Sequence, residues 1–377
     1  VSAASIPTSA AVFDDRVRRA REAMARHGVD VLLLSVGSDL PYLTGYSAMP
    51  LERLTMLVVP ADDEPTLVIP RLEAPRVVHH HGVFAMAPWD ETDDPIALVT
   101  RLVGGHPATV AVGDTMWSRF LVELLAHWGS DRTRYVRSVE VMNDLRLRKD
   151  AAEVAALAAA GAAVDRIAAE LQAGRIPLVG RTEAEVSADL GARIVAEGHE
   201  LVNFAIVAAG ANAASPHHHP GDRVIADDEI VLCDFGGTMA GYCSDITRCV
   251  YTGATVPGDI AEAYDVLFAA QAAGVAAGVV GAECQEVDRA ARRVITDAGF
   301  GEFFVHRTGH GIGMEAHEDP YMVEGNGQPI EAGHAFSVEP GIYVPGRWGM
   351  RLEDIVVATD DGPRSLNHAD HRLIPLP

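Results

Sequence analysis

Ile230-Val231-Leu232-Cys233-Asp234-Phe235-Gly236-Gly237 sets an unbroken apolar run against one carboxylate and a glycine pair. Such a run reads as a buried strand, and this one ends by presenting an acid from a rigid backbone. The C-terminal third repeats the device. Asp245 follows the turn from Gly236-Gly237 to Gly241 and leads into Ile246-Thr247-Arg248. Glu339 ends Phe336-Ser337-Val338 and runs into Pro340-Gly341, and Glu353 sits in Met350-Arg351-Leu352-Glu353-Asp354. His310 is wrapped by glycines in Gly309-His310-Gly311-Ile312-Gly313. Four acids and one imidazole are too many for a single zinc held by three protein ligands. They fit two divalent ions bridged by carboxylates, the arrangement that activates water for hydrolysis. Oxygen donors suit hard ions, and one imidazole moves the preference toward the first transition row, so manganese is expected, with cobalt or zinc open.

Working outward, 229–252 and 335–358 both read as strand–turn–strand units carrying two acids each, which suggests two halves facing each other across a site. Strands are expected at 201–208, 229–235, 245–252, 335–339 and 352–358. Helices are expected from about Asp150 to Ala173, from Thr182 to Gly198, and over 259–279 and 285–298. Thr182-Glu183-Ala184-Glu185 opens the second of these as a capping box. This is an α+β pattern with mainly hairpin connections. Before it, residues 13–27 have helical periodicity stopped by Gly28, and apolar runs at 31–34, 55–59, 66–69 and 110–112 read as strands. Strands alternating with helices give an α/β N-terminal domain. The boundary falls near 143–149, so the expected domains are 1–145 and 146–377.

Composition excludes several functions. The net charge of −23 and pI near 5.0 oppose nucleic acid or an anionic membrane surface as partner. The chain has one lysine, Lys149, and no Gly-Lys-Ser/Thr motif, which removes a P-loop. Lys149 lies in the charged run Arg146-Leu147-Arg148-Lys149-Asp150 and reads as a solvated helix start. Cys233, Cys243, Cys249 and Cys284 form no Cys-x-x-Cys pair and read as buried small hydrophobes. No signal peptide is visible, and the Ala/Gly-rich stretch 267–280 is too short to span a bilayer. A cytoplasmic location is the expectation. His79-His80-His81 reads as surface.

Asp-Phe-Gly-Gly, Ser-Asp-Ile-Thr-Arg, Thr-Gly-His-Gly-Ile-Gly, Val-Glu-Pro-Gly-Ile-Tyr and Arg-Leu-Glu-Asp together resemble the pita-bread metallopeptidases, in particular their Xaa-Pro aminopeptidase and prolidase branch. Asp39-Leu40-Pro41-Tyr42-Leu43-Thr44-Gly45-Tyr46 extends the likeness into a creatinase/prolidase-like N-terminal domain. The resemblance implies that Asp234 chelates one metal, that Asp245 and Glu353 bridge both, and that His310 and Glu339 complete the other. Glu339 would also handle the proton of the bridging water. Arg351 would orient the carboxylates. His317 matches the histidine that contacts the scissile carbonyl, and His217 the substrate-side histidine, although His218 and His219 compete for that role. His306 resembles a substrate-pocket position and equally suits a structural one.

The activity so implied is hydrolysis of Xaa-Pro bonds in short proline-containing peptides, by a prolidase-type dipeptidase or by an Xaa-Pro aminopeptidase acting on longer ones. A homodimer is the expected assembly. A dipeptidase needs a cation for the product carboxylate, and Arg307 and Arg347 are both candidates. Creatinase-like relatives and non-catalytic pita-bread binding proteins lack the ligand set that is intact here.

Overall fold

The computed structural model describes residues 9–376. It divides into two compact units at Arg146/Leu147. In the N-terminal unit the helix Ala10–His27 stops at Gly28, whose φ of 65° suits a residue without Cβ. A six-stranded mixed sheet follows, in the order Ala85–Trp89, Thr66–Pro70, Met56–Pro60, Val31–Leu34, Thr109–Val112, Arg134–Arg137. Leu33 faces Val58 across an antiparallel pair and Val112 across a parallel one.

The four central strands lie where the apolar runs place them. Of the two edge strands, Arg134–Arg137 is bounded by exposed arginines, whereas Ala85–Trp89 is apolar throughout yet half-buried over most of its length. The helices Asp39–Thr44, Pro95–Val103, Ser118–Trp128 and Val139–Arg146 belong to this unit too. Within the histidine triplet only His81 is exposed; His80 is buried, its ring 4.8 Å from that of Phe13, which corrects the surface reading.

In the C-terminal unit the helices Ala151–Gln172 and Glu183–Ala196 both begin with complete capping boxes, Asp150 with Glu153 and Thr182 with Glu185. Such a cap is worth about 1 kcal/mol. The strands form two five-stranded sheets and one separate hairpin. One orders Ile374–Pro375, Ile246–Tyr251, Ile230–Met239 and Leu201–Ala209, with Tyr242–Cys243 paired to the end of Ile230–Met239. The other orders Glu318–Met322, Gly309–Gly311, Ala335–Val338, Asp354–Thr359 and Gly362–Ser365. An isolated bridge between Thr247 and Glu353 joins them.

The expected strand–turn–strand unit at 335–358 is more elaborate. Ala335–Val338 and Asp354–Thr359 do pair antiparallel, but a separate hairpin, Gly341–Val344 with Trp348–Arg351, stands between them. The helix Gly258–Ala277 also starts well before the apolar stretch that composition picks out. By length and composition it could cross a membrane. Its buried face, through Ala263, Leu267 and Ala270, instead packs with Ala291 and Ile295 of the helix Cys284–Asp297.

Candidate metal centre

Strand alternation aims Asp234. Val231, Cys233 and Phe235 pack into the cluster that holds Val164, Ile167 and Leu171 of the long helix. Ile230 and Leu232 point the other way, toward Ile342, Met350 and Leu352. Asp234 shares their parity and so enters the space between the sheets. Asp245 lies in the link before Ile246–Tyr251, and Glu353 just before Asp354–Thr359. The bridge sets Glu353 in place: its amide donates to Thr247 O at 3.3 Å, and the Thr247 hydroxyl donates to its Oε2 at 2.7 Å.

Asp234, Asp245 and Glu353 each offer an oxygen within 4.8 Å of the others, and His310, Glu339 and Glu353 form a second such trio. Glu353 belongs to both. A third trio joins Asp245 and His310 to His317. His310 Nε2 lies 3.3 Å from Glu339 Oε1 and 3.8 Å from Asp245 Oδ2. Its Nδ1 is 3.1 Å from the Gly311 carbonyl, which can only accept, so Nδ1 carries the proton and Nε2 is left with a lone pair. Ser337 ties the two residues together, accepting from His310 N at 3.0 Å and donating to Glu339 Oε1 at 3.1 Å. Gly309 permits that approach: a Cβ there would lie 1.9 Å from Ser337 O.

The acids are poorly compensated by protein alone. Burial, and next the charge of Glu353, raise Asp245 well above the carboxylate range. Burial, with Glu339 and Asp234, does the same to Glu353. Burial pushes Glu339 up to about 7 against the pull of Arg351. Burial, reinforced by His317, lowers His310 to about 3, so its imidazole is neutral and able to ligate. Arg351 is the buried cation of the site; it donates to Asp234 Oδ2, to Thr247 Oγ1 at 3.1 Å and to Tyr343 Oη at 2.8 Å. Among the described residues, Asp234 Oδ1 and Asp245 Oδ1 are buried without a hydrogen-bond partner. Native structures seldom leave buried carboxylate oxygens so. The donor set and these two oxygens fit divalent cations, whose charge reverses the local repulsion.

Above this floor opens a cleft of about 640 Å³, lined also by Phe204, Ile206, His217, His306, Arg307 and His317. His217 faces it. His218 instead meets Glu183 Oε2 at 2.8 Å, so the two imidazoles are separated by their partners. Glu183, fully buried, also accepts from Ala209 N and Asn212 Nδ2 and thereby holds the loop that delivers His217. His306 has both ring nitrogens engaged, Nδ1 with Arg307 O at 2.7 Å and Nε2 with Tyr343 Oη at 2.9 Å. Only its ring face is left to the cleft. The His317 ring lies 3.9 Å from that of His310. Of the two arginines, Arg307 lines the cleft, its guanidinium 4.3 Å above the Tyr321 ring, whereas Arg347 pairs with Asp259 at an exposed position.

Lys149 is not solvated. Its side chain is 1% exposed and meets Glu318 Oε1 at 2.9 Å. The charged neighbours that suggest exposure hide a partner 169 residues away. Sequence reading also passes over Glu183, Thr247 and Tyr343. Thr247 sits inside a motif already singled out, while Tyr343 reaches Arg351 only because the inserted hairpin folds it back.

Comparison with known proteins agrees with this fold. Metallopeptidase family M24 matches residues 151–360, and the creatinase/prolidase N-terminal domain matches residues 16–148. A probable dipeptidase PepE of Mycobacterium bovis is 43% identical, covering 98% of each chain. An Xaa-Pro dipeptidase of Lactobacillus delbrueckii subsp. lactis is 35% identical over 94% of this chain and 97% of its own. The crystal structure of dipeptidase PepE from Mycobacterium ulcerans superposes with a TM-score of 0.92 at 46% identity, covering 98% of this chain and 99% of that one. The chain belongs to metallopeptidase family M24, with a creatinase/prolidase N-terminal domain.

Proposed function

We propose that the chain is a two-metal dipeptidase that hydrolyses the Xaa-Pro bond of dipeptides. One observation carries the reading: two ligand trios share Glu353, contain two carboxylate oxygens without a partner among the described residues, and lie beneath a cleft that Arg307 overlooks. Asp234, Asp245 and Glu353 would hold one ion, and His310, Glu339, Glu353 and Asp245 the other. When bound, the pair supplies an acidified water and a Lewis acid for the scissile carbonyl.

The chain's own groups supply the rest. Glu339 is more open to the cleft than Asp234 or Asp245, its side chain 15% exposed against 11% and 3%. It is placed to take the water's proton and pass it to the leaving nitrogen. His317 has its pKa lowered by burial and then by Arg307, so at neutral pH it is an uncharged donor suited to the developing oxyanion. His217 flanks the substrate from the opposite loop. The bond to proline has no N–H, so its pocket needs no acceptor there. Arg307 would read the product-side carboxylate, for which a guanidinium fork is the strongest partner. Relatives named dipeptidase and Xaa-Pro dipeptidase support the same substrate class.

Manganese as the ion, a homodimer as the assembly and a cytoplasmic location belong to this proposal; four free, buried cysteines suit a reducing compartment. Metal analysis and sedimentation test the first two. The decisive assay compares an Ala-Pro dipeptide with its C-terminal amide and with an Ala-Pro-Ala tripeptide. A strong preference for the free dipeptide is expected. Equal turnover of dipeptide and amide, or faster cleavage of the tripeptide, would move the assignment to an Xaa-Pro aminopeptidase.

A further inference from the structure

The helix Cys284–Asp297 carries a charged pair that the peptidase chemistry does not use. Asp288 is 1% exposed, and Arg292, one turn on, meets both its oxygens at 2.9 Å. Most i,i+4 pairs of this kind are solvated and worth a few tenths of a kcal/mol. This one is turned onto another segment. Arg292 Nη1 donates to Phe304 O at 2.9 Å and Nη2 to His306 O at 2.7 Å, with the guanidinium 4.1 Å over the Phe304 ring. Asp288 Oδ1 accepts from Thr308 N at 2.9 Å and from Thr308 Oγ1 at 2.8 Å.

The anchored groups are the carbonyls of 304 and 306 and the amide of 308. Between the second and the third stands Arg307, held on both sides by its backbone while its side chain lies over Tyr321 in the cleft. A staple meant only to join helix to loop has no need to bracket that residue. We infer that the Asp288–Arg292 pair is a positioning device for Arg307, setting its guanidinium where the carboxylate of a dipeptide arrives. This rests on the reading of Arg307 given above.

The two ideas can fail separately. The test uses the full metal-loaded chain, with steady-state kinetics on Ala-Pro and Ala-Pro amide, and metal content measured for every variant. The parent should prefer the free acid, and Arg307→Met should abolish that preference. Arg292→Met should raise KM for the acid about tenfold, the scale of one weakened charge-assisted hydrogen bond, and leave KM for the amide and metal content unchanged. Arg292→Lys keeps a charge beside Asp288 but cannot fork to two carbonyls, so it should fall between. Adding Arg292→Met to Arg307→Met should change the acid-to-amide ratio no further.

If Arg292→Met or Arg292→Lys keeps the parent's ratio while Arg307→Met loses it, the pair is only a structural staple and the inference is overturned. If Arg292→Met fails to fold, Arg292→Lys and Asp288→Asn decide the question by the same ratio. If the parent shows no preference and Arg307→Met is silent, the reading of Arg307 itself fails and takes the inference with it.

Discussion

The floor and the rim of the cleft are built on opposite principles. On the floor, Asp234 and Asp245 each leave a buried oxygen with no partner among the described residues, and burial and mutual repulsion raise Asp245 and Glu353 well above the carboxylate range. On the rim, His218 is bound to Glu183, His306 to Tyr343 and Arg307 O, and Arg307 lies on Tyr321. The floor is incomplete without added cations. The rim is largely complete as protein. The difference teaches where each kind of substitution should register: on the floor as lost metal and lost turnover, on the rim as altered substrate handling with metal retained.

The largest expected effect is therefore on the floor. Asp245→Ala and Glu353→Ala each remove a carboxylate shared between trios and should bring turnover to background, with about two ions per chain falling toward none by metal analysis. A chelator should do the same to the parent, and manganese or cobalt should restore it. Full turnover by metal-free protein would erase the distinction between floor and rim altogether.

Next comes the anchor of the rim. Lys149 and Glu318 form a pair with side chains 1% and 9% exposed, and Glu318 directly follows His317. Lys149→Met takes the paired cation away from a buried carboxylate and should cost about 3–5 kcal/mol in urea unfolding. Changing Glu318→Leu as well should recover much of that loss. A Lys149→Met midpoint equal to the parent's would show that the pair carries no stability.

The contrast also explains what sequence can deliver. The floor is legible because each of its acids lies in or beside a strand, Asp234 and Glu339 closing an apolar run and Asp245 and Glu353 leading into a strand, and local pattern reports such strands. Glu339 and Glu353 stand out even though the hairpin Gly341–Arg351 between them does not, since each acid is marked by its own neighbours. The rim is less legible because partners there are distant in sequence. Nothing near Lys149 announces Glu318, and nothing in His217-His218-His219 says that Glu183 claims the middle ring. The edge strands escape for local reasons: Arg134–Arg137 has only Tyr135 and Val136 between its arginines, and the apolar Ala85–Trp89 carries Pro88, which argues against a strand.

His317→Ala tests the rim where it meets chemistry. The ring centroid lies 3.9 Å from that of His310, tilted at 44° to it, but His317 is not among the five residues assigned to the ions. Removing one oxyanion donor should lower kcat by roughly 10²–10³ with metal content unchanged. Its place in a trio with Asp245 and His310 allows a sharper outcome. If His317→Ala instead loses an ion, that residue belongs to the floor.

The smallest effect is a dependence of stability on pH, and its sign separates the carboxylates from the imidazoles. Glu339, raised from an ordinary 4.5 to about 7, stabilises the metal-free fold fully below about pH 4.5, and that contribution is lost as pH rises through about 7. Asp245 and Glu353, also raised, act in the same direction. The buried imidazoles oppose this at lower pH. His306 and His310 are lowered to about 4 and about 3 from 6.5, so the unfolded chain binds more protons there and stability climbs with pH up to about 6.5. Above that value the histidines are neutral in both states, and only the carboxylates still titrate. Chelated protein should therefore lose stability, read as a falling Tm, between about pH 6.5 and 7.5, the interval through which Glu339 titrates. Manganese-loaded protein should lose none, so the stabilisation by metal should widen across that interval. A chelated protein as stable at the upper pH as at the lower would mean that the floor tolerates its charges unaided.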